Sequence, residues 1–146
     1  MSQYPEQIYR LATPSTLRQW REHGGKYRLE GTKCGECGSI WFPRRAVCGK
    51  CHSLKMETYD CPHTGVIVEK EINAIPILTF VGHGESIPKY GVMVKLDDGL
   101  HVLSEVVDAD DPEKIAVGKR VKMVLRKARR EGNSNWAYVY KFVLCE

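Results

Sequence analysis

Four of the six cysteines occur as two closely spaced pairs. The first pair is Cys34 and Cys37, and the second, ten intervening residues later, is Cys48 and Cys51. Two residues between the members of a pair allow one tight turn to direct both sulfurs toward the same point. A hairpin then brings the two turns together. The four thiolates therefore predict one tetrahedral Zn²⁺ site, and we expect a structural metal because no coordination position is left open.

Paired cysteines also form disulfides in secreted proteins, or redox-active centres. The N-terminal residues lack the basic and apolar stretches of a secretory signal, which disfavours disulfides and predicts a cytoplasmic protein. Two symmetric pairs without thioredoxin-like surroundings disfavour a redox centre. Cys61 and Cys145 stand apart from the pairs, and we expect both to be ordinary thiols.

Composition limits the size and the type of the protein. The chain has 146 residues, of which 42% are hydrophobic, and this suits one compact domain or a small domain with an appendage. No apolar run is long enough to cross a bilayer. A net charge of +4 permits an anionic partner without requiring one. The sequence contains no phosphate-binding loop, dinucleotide fingerprint or nucleophile elbow, so we expect it to supply no catalytic residues.

One short helix is predicted from Thr13 to Gly24. Thr13 is a suitable N-cap, Pro14 fits the first helical position, and Gly24 fits the end of the helix. Leu17 and Trp20 lie three residues apart and form a narrow apolar stripe. Such a helix must dock on a second surface, and the sequence leaves open whether that surface is the protein's own body or another subunit.

Between the cysteine pairs, Ile40–Pro43 is predicted to be an apolar strand. From Gly65 onward, apolar and polar residues alternate, which predicts β-strands. Asp97–Gly99 is a predicted hairpin turn, and a short helical turn is expected from Asp111, stopped at Gly118. The predicted strands cover residues 66–68, 77–81, 92–96, 102–107, 121–125 and 136–142.

Many short strands with almost no helix predict a small closed barrel, and a five-stranded OB barrel fits best. The predicted fold class is therefore mainly β. It comprises an N-terminal segment with a docking helix (1–26), a rubredoxin-like zinc ribbon (27–61) and an OB-fold barrel (62–146).

Two features of the barrel segment have alternative interpretations. The last strand carries aromatic residues on one face, which we expect to fill the barrel, although aromatic residues on an OB strand also stack on nucleic-acid bases. Two arginine clusters could bind a phosphate of a nucleotide such as coenzyme A, or could simply be solvated. The aromatic residues are Trp136, Tyr138, Tyr140 and Phe142, and the candidate anion-binding residues are Arg44, Arg45, Arg126, Arg129 and Arg130.

The order of ribbon and barrel resembles one family in detail: the small zinc-ribbon/OB-fold proteins that accompany thiolase-like and HMG-CoA-synthase-like enzymes. The resemblance covers nearly the whole chain. It rests on residues 27–31, the two cysteine pairs, Phe42–Arg44, residues 65–67, Leu96–Gly99 and residues 117–121. Within the family, residues 4–8, 21–31 and 140–144 are most similar to the small subunits of bacterial monoacetylphloroglucinol acetyltransferases.

This resemblance implies a scaffold without catalytic residues of its own. It would bridge a thiolase-fold subunit and an HMG-CoA-synthase-like subunit in a complex that acetylates a phloroglucinol ring carbon, converting the monoacetyl to the 2,4-diacetyl compound. Archaeal relatives instead bridge acetoacetyl-CoA thiolase and HMG-CoA synthase. We expect the partner contacts to include Leu17, Trp20, Trp41 and Phe42, because large apolar groups in thin elements need to be covered. A single-stranded nucleic-acid binder remains the alternative of a different class.

Overall fold

The computed structural model describes residues 16–73, 89–109, 111–130 and 136–145. One helix, α1, precedes eight strands and one short 3₁₀ turn at Pro112–Lys114. The bounds are α1 Thr16–Arg28, β1 Glu30–Cys34, β2 Ile40–Trp41, β3 Met56–Asp60, β4 Thr64–Asn73, β5 Lys89–Leu96, β6 His101–Val106, β7 Arg120–Arg130 and β8 Trp136–Leu144.

The three short N-terminal strands form a small antiparallel sheet in the order β2-β1-β3. The central strand, β1, runs directly into Cys34, and β2 starts soon after Cys37, so the sheet places the first cysteine pair at its end. β2 ends at Trp41, earlier than the predicted Ile40–Pro43 strand. Pro43 has no N–H to donate to a neighbouring strand, so the ladder of hydrogen bonds does not continue through it.

The remaining five strands form a closed barrel in the order β4-β5-β6-β8-β7. All neighbouring strands are antiparallel except β6 and β8, and the pairing of β4 with β7 closes the barrel. The predicted mainly β fold with a five-stranded barrel is confirmed. Alternating residues point inward, as period two requires. The buried barrel side chains are Ile67, Val92, Val94, Leu96, Val102, Val106, Val121 and Phe142.

The helix differs from its predicted bounds. It does not end at Gly24 but continues to Arg28, and Leu29 then adopts a left-handed conformation (φ 53°). Gly24 is buried against the Glu30 side chain, where an added Cβ would lie 1.9 Å from a carboxylate oxygen. The glycine therefore allows a close contact rather than ending the helix. Thr13, Pro14 and the predicted strand at 77–81 lie outside the described residues.

The last strand fills the barrel only in part, which corrects the prediction. Phe142 is fully buried, and Tyr140 packs against the core, but Trp136 and Tyr138 are 41% and 40% exposed. The reason lies in strand length. β7 pairs with β4 only at residues 120–122, whereas its pairing with β8 continues to residue 130, so the far end of the β7–β8 hairpin extends beyond the barrel.

Helix, sheet and barrel meet around Phe42. Its ring packs edge-on against Tyr140 with 5.8 Å between centroids, and it is also the neighbour of Gly25 in α1. Beside this contact, His63 Nε2 lies 3.2 Å from the Arg28 carbonyl oxygen at the end of α1. Phe42 thus joins all three parts of the described chain. Among the described residues, no helix has the length and apolar character needed to cross a membrane.

Candidate metal centre

The four paired cysteines converge on one point. Their sulfur atoms all lie within 4.8 Å of one another, and the Cys34–Cys51 and Cys37–Cys48 sulfur distances are both 3.5 Å. A tetrahedral metal with bonds of about 2.3 Å to sulfur would separate its ligands by roughly 3.8 Å, which fits these distances. The four cysteines are therefore positioned to bind one metal ion.

The two cysteine turns have the same backbone structure. In the first, Cys34 N–H donates to the Ser39 carbonyl and Gly38 N–H donates to the Cys34 carbonyl. In the second, Cys48 and His52 make the equivalent two bonds. Gly38 (φ 69°) and His52 (φ 58°) occupy the same left-handed position in their turns. The site is thus built from two copies of one turn that face each other.

The surrounding hydrogen bonds favour thiolates at part of the site. Backbone N–H groups of Cys51 and Lys50 directed at Cys48 lower its pKa to about 6. The Ser39 hydroxyl, 3.2 Å from Cys37 Sγ, and the Ser39 backbone lower the pKa of Cys37. The Ser53 backbone also lowers the pKa of Cys51, but the nearby thiols of Cys34 and Cys37 outweigh it and raise that pKa to about 12. Ionising all four sulfurs at this separation would require a cation among them.

The two halves of the site differ in burial. Cys34 and Cys48 are buried, Cys37 is half-buried and Cys51 is exposed. The second turn is covered by Trp41, because an added Cβ at Gly49 would lie only 2.8 Å from its ring. The two cysteines outside the pairs do not join the cluster. Cys61 is buried in the core and its pKa is raised to about 11, chiefly by burial, while Cys145 is exposed.

Sequence reasoning missed the serines and the left-handed backbone of His52, although a signal was present. Both turns follow one six-residue pattern, Cys-Gly-x-Cys-x-Ser, at residues 34–39 and 48–53. Recognising this short repeat would have predicted matched backbone bonds to Ser39 and Ser53. It would also have predicted the strained position of His52, where the first turn has Gly38.

The four predicted partner-contact residues fall into two groups. Leu17 and Trp20 are 67% and 73% exposed. Trp41 instead packs on the second cysteine turn, and Phe42 packs between α1 and the barrel. Both of these rings are therefore engaged inside the chain.

Three of the five candidate anion-binding arginines have partners within the protein. Arg44 hydrogen-bonds to Thr58 at 3.3 Å, and the Arg45 guanidinium lies over the Trp41 ring at 4.8 Å from its centroid. Arg126 forms an ion pair with Asp108. These contacts neutralise or occupy three of the five arginines, while Arg129 and Arg130 are described only through their backbone pairing with β8.

A shallow pocket adjoins Arg126. It has a volume of about 410 Å³ and lies where the β7–β8 hairpin leaves the barrel, between Leu125, Tyr138 and the residues after β6. Next to it, the Lys127 ammonium lies 4.9 Å from the centroid of the Trp136 ring. The arrangement brings aromatic and cationic groups together, but the ion pair of Arg126 with Asp108 lowers the local positive charge.

Comparison with known proteins agrees with this architecture. A profile described as the ChsH2 rubredoxin-like zinc ribbon domain matches residues 21–57, which include all four paired cysteines. A DUF35 domain-containing scaffold protein of Methanothermobacter thermautotrophicus is 36% identical over 130 residues, covering 87% of this chain and 94% of the relative. The chain belongs to the DUF35 family.

Other DUF35 proteins extend the comparison. A DUF35 domain-containing scaffold protein of Pyrococcus furiosus is 35% identical over 126 residues and covers 86% of this chain and 89% of the relative. The solved structure of an Ltp2-ChsH2(DUF35) aldolase has a similar fold, with a TM-score of 0.67 at 22% identity. That match covers 91% of this chain and 97% of the aldolase chain.

Proposed function

We propose that this DUF35 protein is a non-catalytic scaffold subunit of a multi-component acyltransferase, in which it bridges a thiolase-fold subunit and an HMG-CoA-synthase-like subunit. One observation carries the proposal: curated relatives that match almost the whole chain are named scaffold proteins. Two features support it. The four-cysteine cluster has no open position for a substrate, and Leu17 and Trp20 present apolar surface to solvent.

The reaction of the complex is proposed to be C-acetylation of phloroglucinols, from the monoacetyl to the 2,4-diacetyl compound. Similarity of residues 21–31 and 140–144 to the small subunits of such acetyltransferases supports this choice. The second candidate is a scaffold of an acetoacetyl-CoA thiolase/HMG-CoA synthase complex. The archaeal sources of the curated relatives favour that second context.

The metal is proposed to be one structural Zn²⁺ per chain, held by Cys34, Cys37, Cys48 and Cys51. The protein is proposed to be cytoplasmic. Zn²⁺ prefers tetrahedral thiolate coordination, and the match to a zinc-ribbon profile supports this identity. The bound ion would supply no reactive position. Its role would be to fix two loops that bury few apolar side chains of their own.

Co-purification tests the scaffold proposal. A tagged chain would be expressed in its native host and isolated at low and at moderate salt, and the co-eluting proteins would be identified by mass spectrometry. We expect a thiolase-fold and a synthase-like subunit in fixed ratio. A chain that elutes as a lone monomer at both salt concentrations would refute the proposal.

The isolated complex then distinguishes the two reactions. It would be supplied in parallel with monoacetylphloroglucinol and with acetyl-CoA plus acetoacetyl-CoA, and the products would be separated by chromatography. Diacetylphloroglucinol supports the first reaction and HMG-CoA the second. The matched control is the pair of enzyme subunits without the scaffold.

A further inference from the structure

Leu17, Trp20 and Arg21 form one exposed face on the N-terminal half of α1, which we call the anchor face. At 3.6 residues per turn, these three residues and Gly24 fall within a sector of about 100°. Leu17 and Trp20 are 67% and 73% exposed, and Arg21 is also exposed. The anchor face is therefore a continuous surface that combines two large apolar side chains with a cation.

The same side of the helix is already used for docking one turn later. Gly24 is buried against the Glu30 side chain, while the anchor face projects beyond that contact. A helix stripe that is buried at one end and exposed at the other has the form of a surface that continues into a second contact.

Trp20 is held in place although it is exposed. Its ring stacks on His23 with 5.2 Å between centroids and 25° between planes, and His23 in turn contacts Tyr27 at 6.5 Å. This aromatic row limits the motion of Trp20 before any partner binds. A restrained side chain loses less conformational freedom on binding, which favours its use as an anchor.

The charges of α1 indicate what kind of surface would receive it. Arg18 and Lys26 both pair with Glu22 on another side of the helix. Arg28 pairs with Glu30. In the part of the chain that the structure describes, Arg21 is the α1 cation without an ion pair, and it lies on the anchor face. A carboxylate on the partner would supply the ion pair that Arg21 lacks.

We propose that the anchor face docks into an apolar cleft bordered by carboxylates on an enzyme subunit of the complex. Leu17 and Trp20 enter the cleft, and Arg21 pairs with an acidic side chain at its rim. Tryptophan and arginine are the residue types that most often dominate the binding energy of such contacts. This inference rests on the proposed scaffold function and specifies how α1 performs it.

The test uses the full chain and the enzyme subunits identified by co-purification. Affinity would be measured by calorimetry or interferometry for the natural chain, Trp20→Ala, Arg21→Gln and Arg18→Gln. Arg18→Gln is the matched control because it removes one positive charge from the same helix, away from the anchor face. The melting temperature and mass of each chain alone would be measured in parallel.

We expect Trp20→Ala to weaken binding at least about thirtyfold, as for a central anchor residue. Arg21→Gln should weaken it roughly fivefold to tenfold at low salt and less at high salt, since a rim charge is screened. Arg18→Gln should bind like the natural chain, and all isolated variants should have the same melting temperature as the natural chain.

Other results would overturn the proposal in distinguishable ways. If the natural chain binds the subunits but Trp20→Ala and Arg21→Gln bind equally well, the anchor face does not dock on the partner, while the proposed scaffold function stands. If the natural chain binds no enzyme subunit, the proposed function itself fails. If Trp20→Ala lowers the melting temperature of the isolated chain, or converts a dimer to a monomer, the anchor face is covered by the chain itself or by a second copy.

Discussion

Replacing Gly49 by alanine tests whether the metal centre depends on the packing of Trp41. Gly49 and Gly35 occupy equivalent positions in the two cysteine turns, so Gly35→Ala is a matched control. Neither glycine has a positive φ, and alanine is conformationally permitted at both. The two substitutions therefore differ in what the new methyl group meets.

The size of the effect follows from these contacts. At Gly49 the new Cβ would lie 2.8 Å from one carbon of the Trp41 ring, well inside the 3.4 Å at which ordinary contact begins. At Gly35 the nearest atom, the Lys55 carbonyl oxygen, is 3.5 Å away. Both changes reduce the freedom of the unfolded chain equally, so that contribution cancels in the comparison. Overpacking then leaves Gly49→Ala less stable than Gly35→Ala by about 1–3 kcal/mol.

Urea unfolding at saturating Zn²⁺, followed by tryptophan fluorescence and by metal release, measures this difference. Adding Trp41→Leu should relieve the clash, so Gly49→Ala should cost much less in that background. Equal stability of the two alanine variants, or an unchanged cost without the Trp41 ring, would refute the reasoning.

The remaining predictions concern thiols, acid stability and nucleic acid. Cys48→Ser should lose bound metal and solubility while Cys145→Ser keeps both, as elemental analysis would report. Cys61 should resist alkylation at pH 8, because burial raises its pKa to about 11. Since the folded chain favours the neutral thiol, the free energy of unfolding should fall as the pH rises from about 9 toward 11. The Thr64 hydroxyl and the Arg120 guanidinium lower the pKa of Asp97. The ionised Asp97 therefore stabilises the fold above pH 3.8, and this contribution is lost at lower pH. Asp97→Asn should flatten that acid-dependent loss in a pH series of unfolding curves. A labelled oligonucleotide should show no steeply salt-dependent binding, and tight binding at low salt would contradict the scaffold proposal.

The cysteine site could be predicted from sequence because the ligand spacing encodes the geometry locally. Two residues between Cys34 and Cys37 fix the turn, whatever the rest of the chain does. The strands were predictable for a related reason, since alternation in segments such as Val92–Leu96 reflects burial on one face.

Features that depend on distant contacts were not predictable. A glycine is typical of a helix end, but Gly24 lies inside α1, where its missing side chain leaves room for Glu30. Trp136 and Tyr138 have the spacing of core residues, yet their burial is decided by where β4 stops pairing with β7. The roles of Trp41 and Phe42 likewise depend on which surfaces the fold brings beside them.

If the chain bridges two enzyme subunits as proposed, the position of Phe42 bears on the angle at which the two subunits are held. A spacer transmits a fixed orientation only if its two ends cannot pivot, and here the Phe42 ring lies at the junction of α1, the three-stranded sheet and β8. Phe42→Ala would leave the surfaces at both ends intact while loosening the hinge between them. In the proposed complex, such a variant should still recruit each enzyme subunit but hold the two subunits at a less fixed angle.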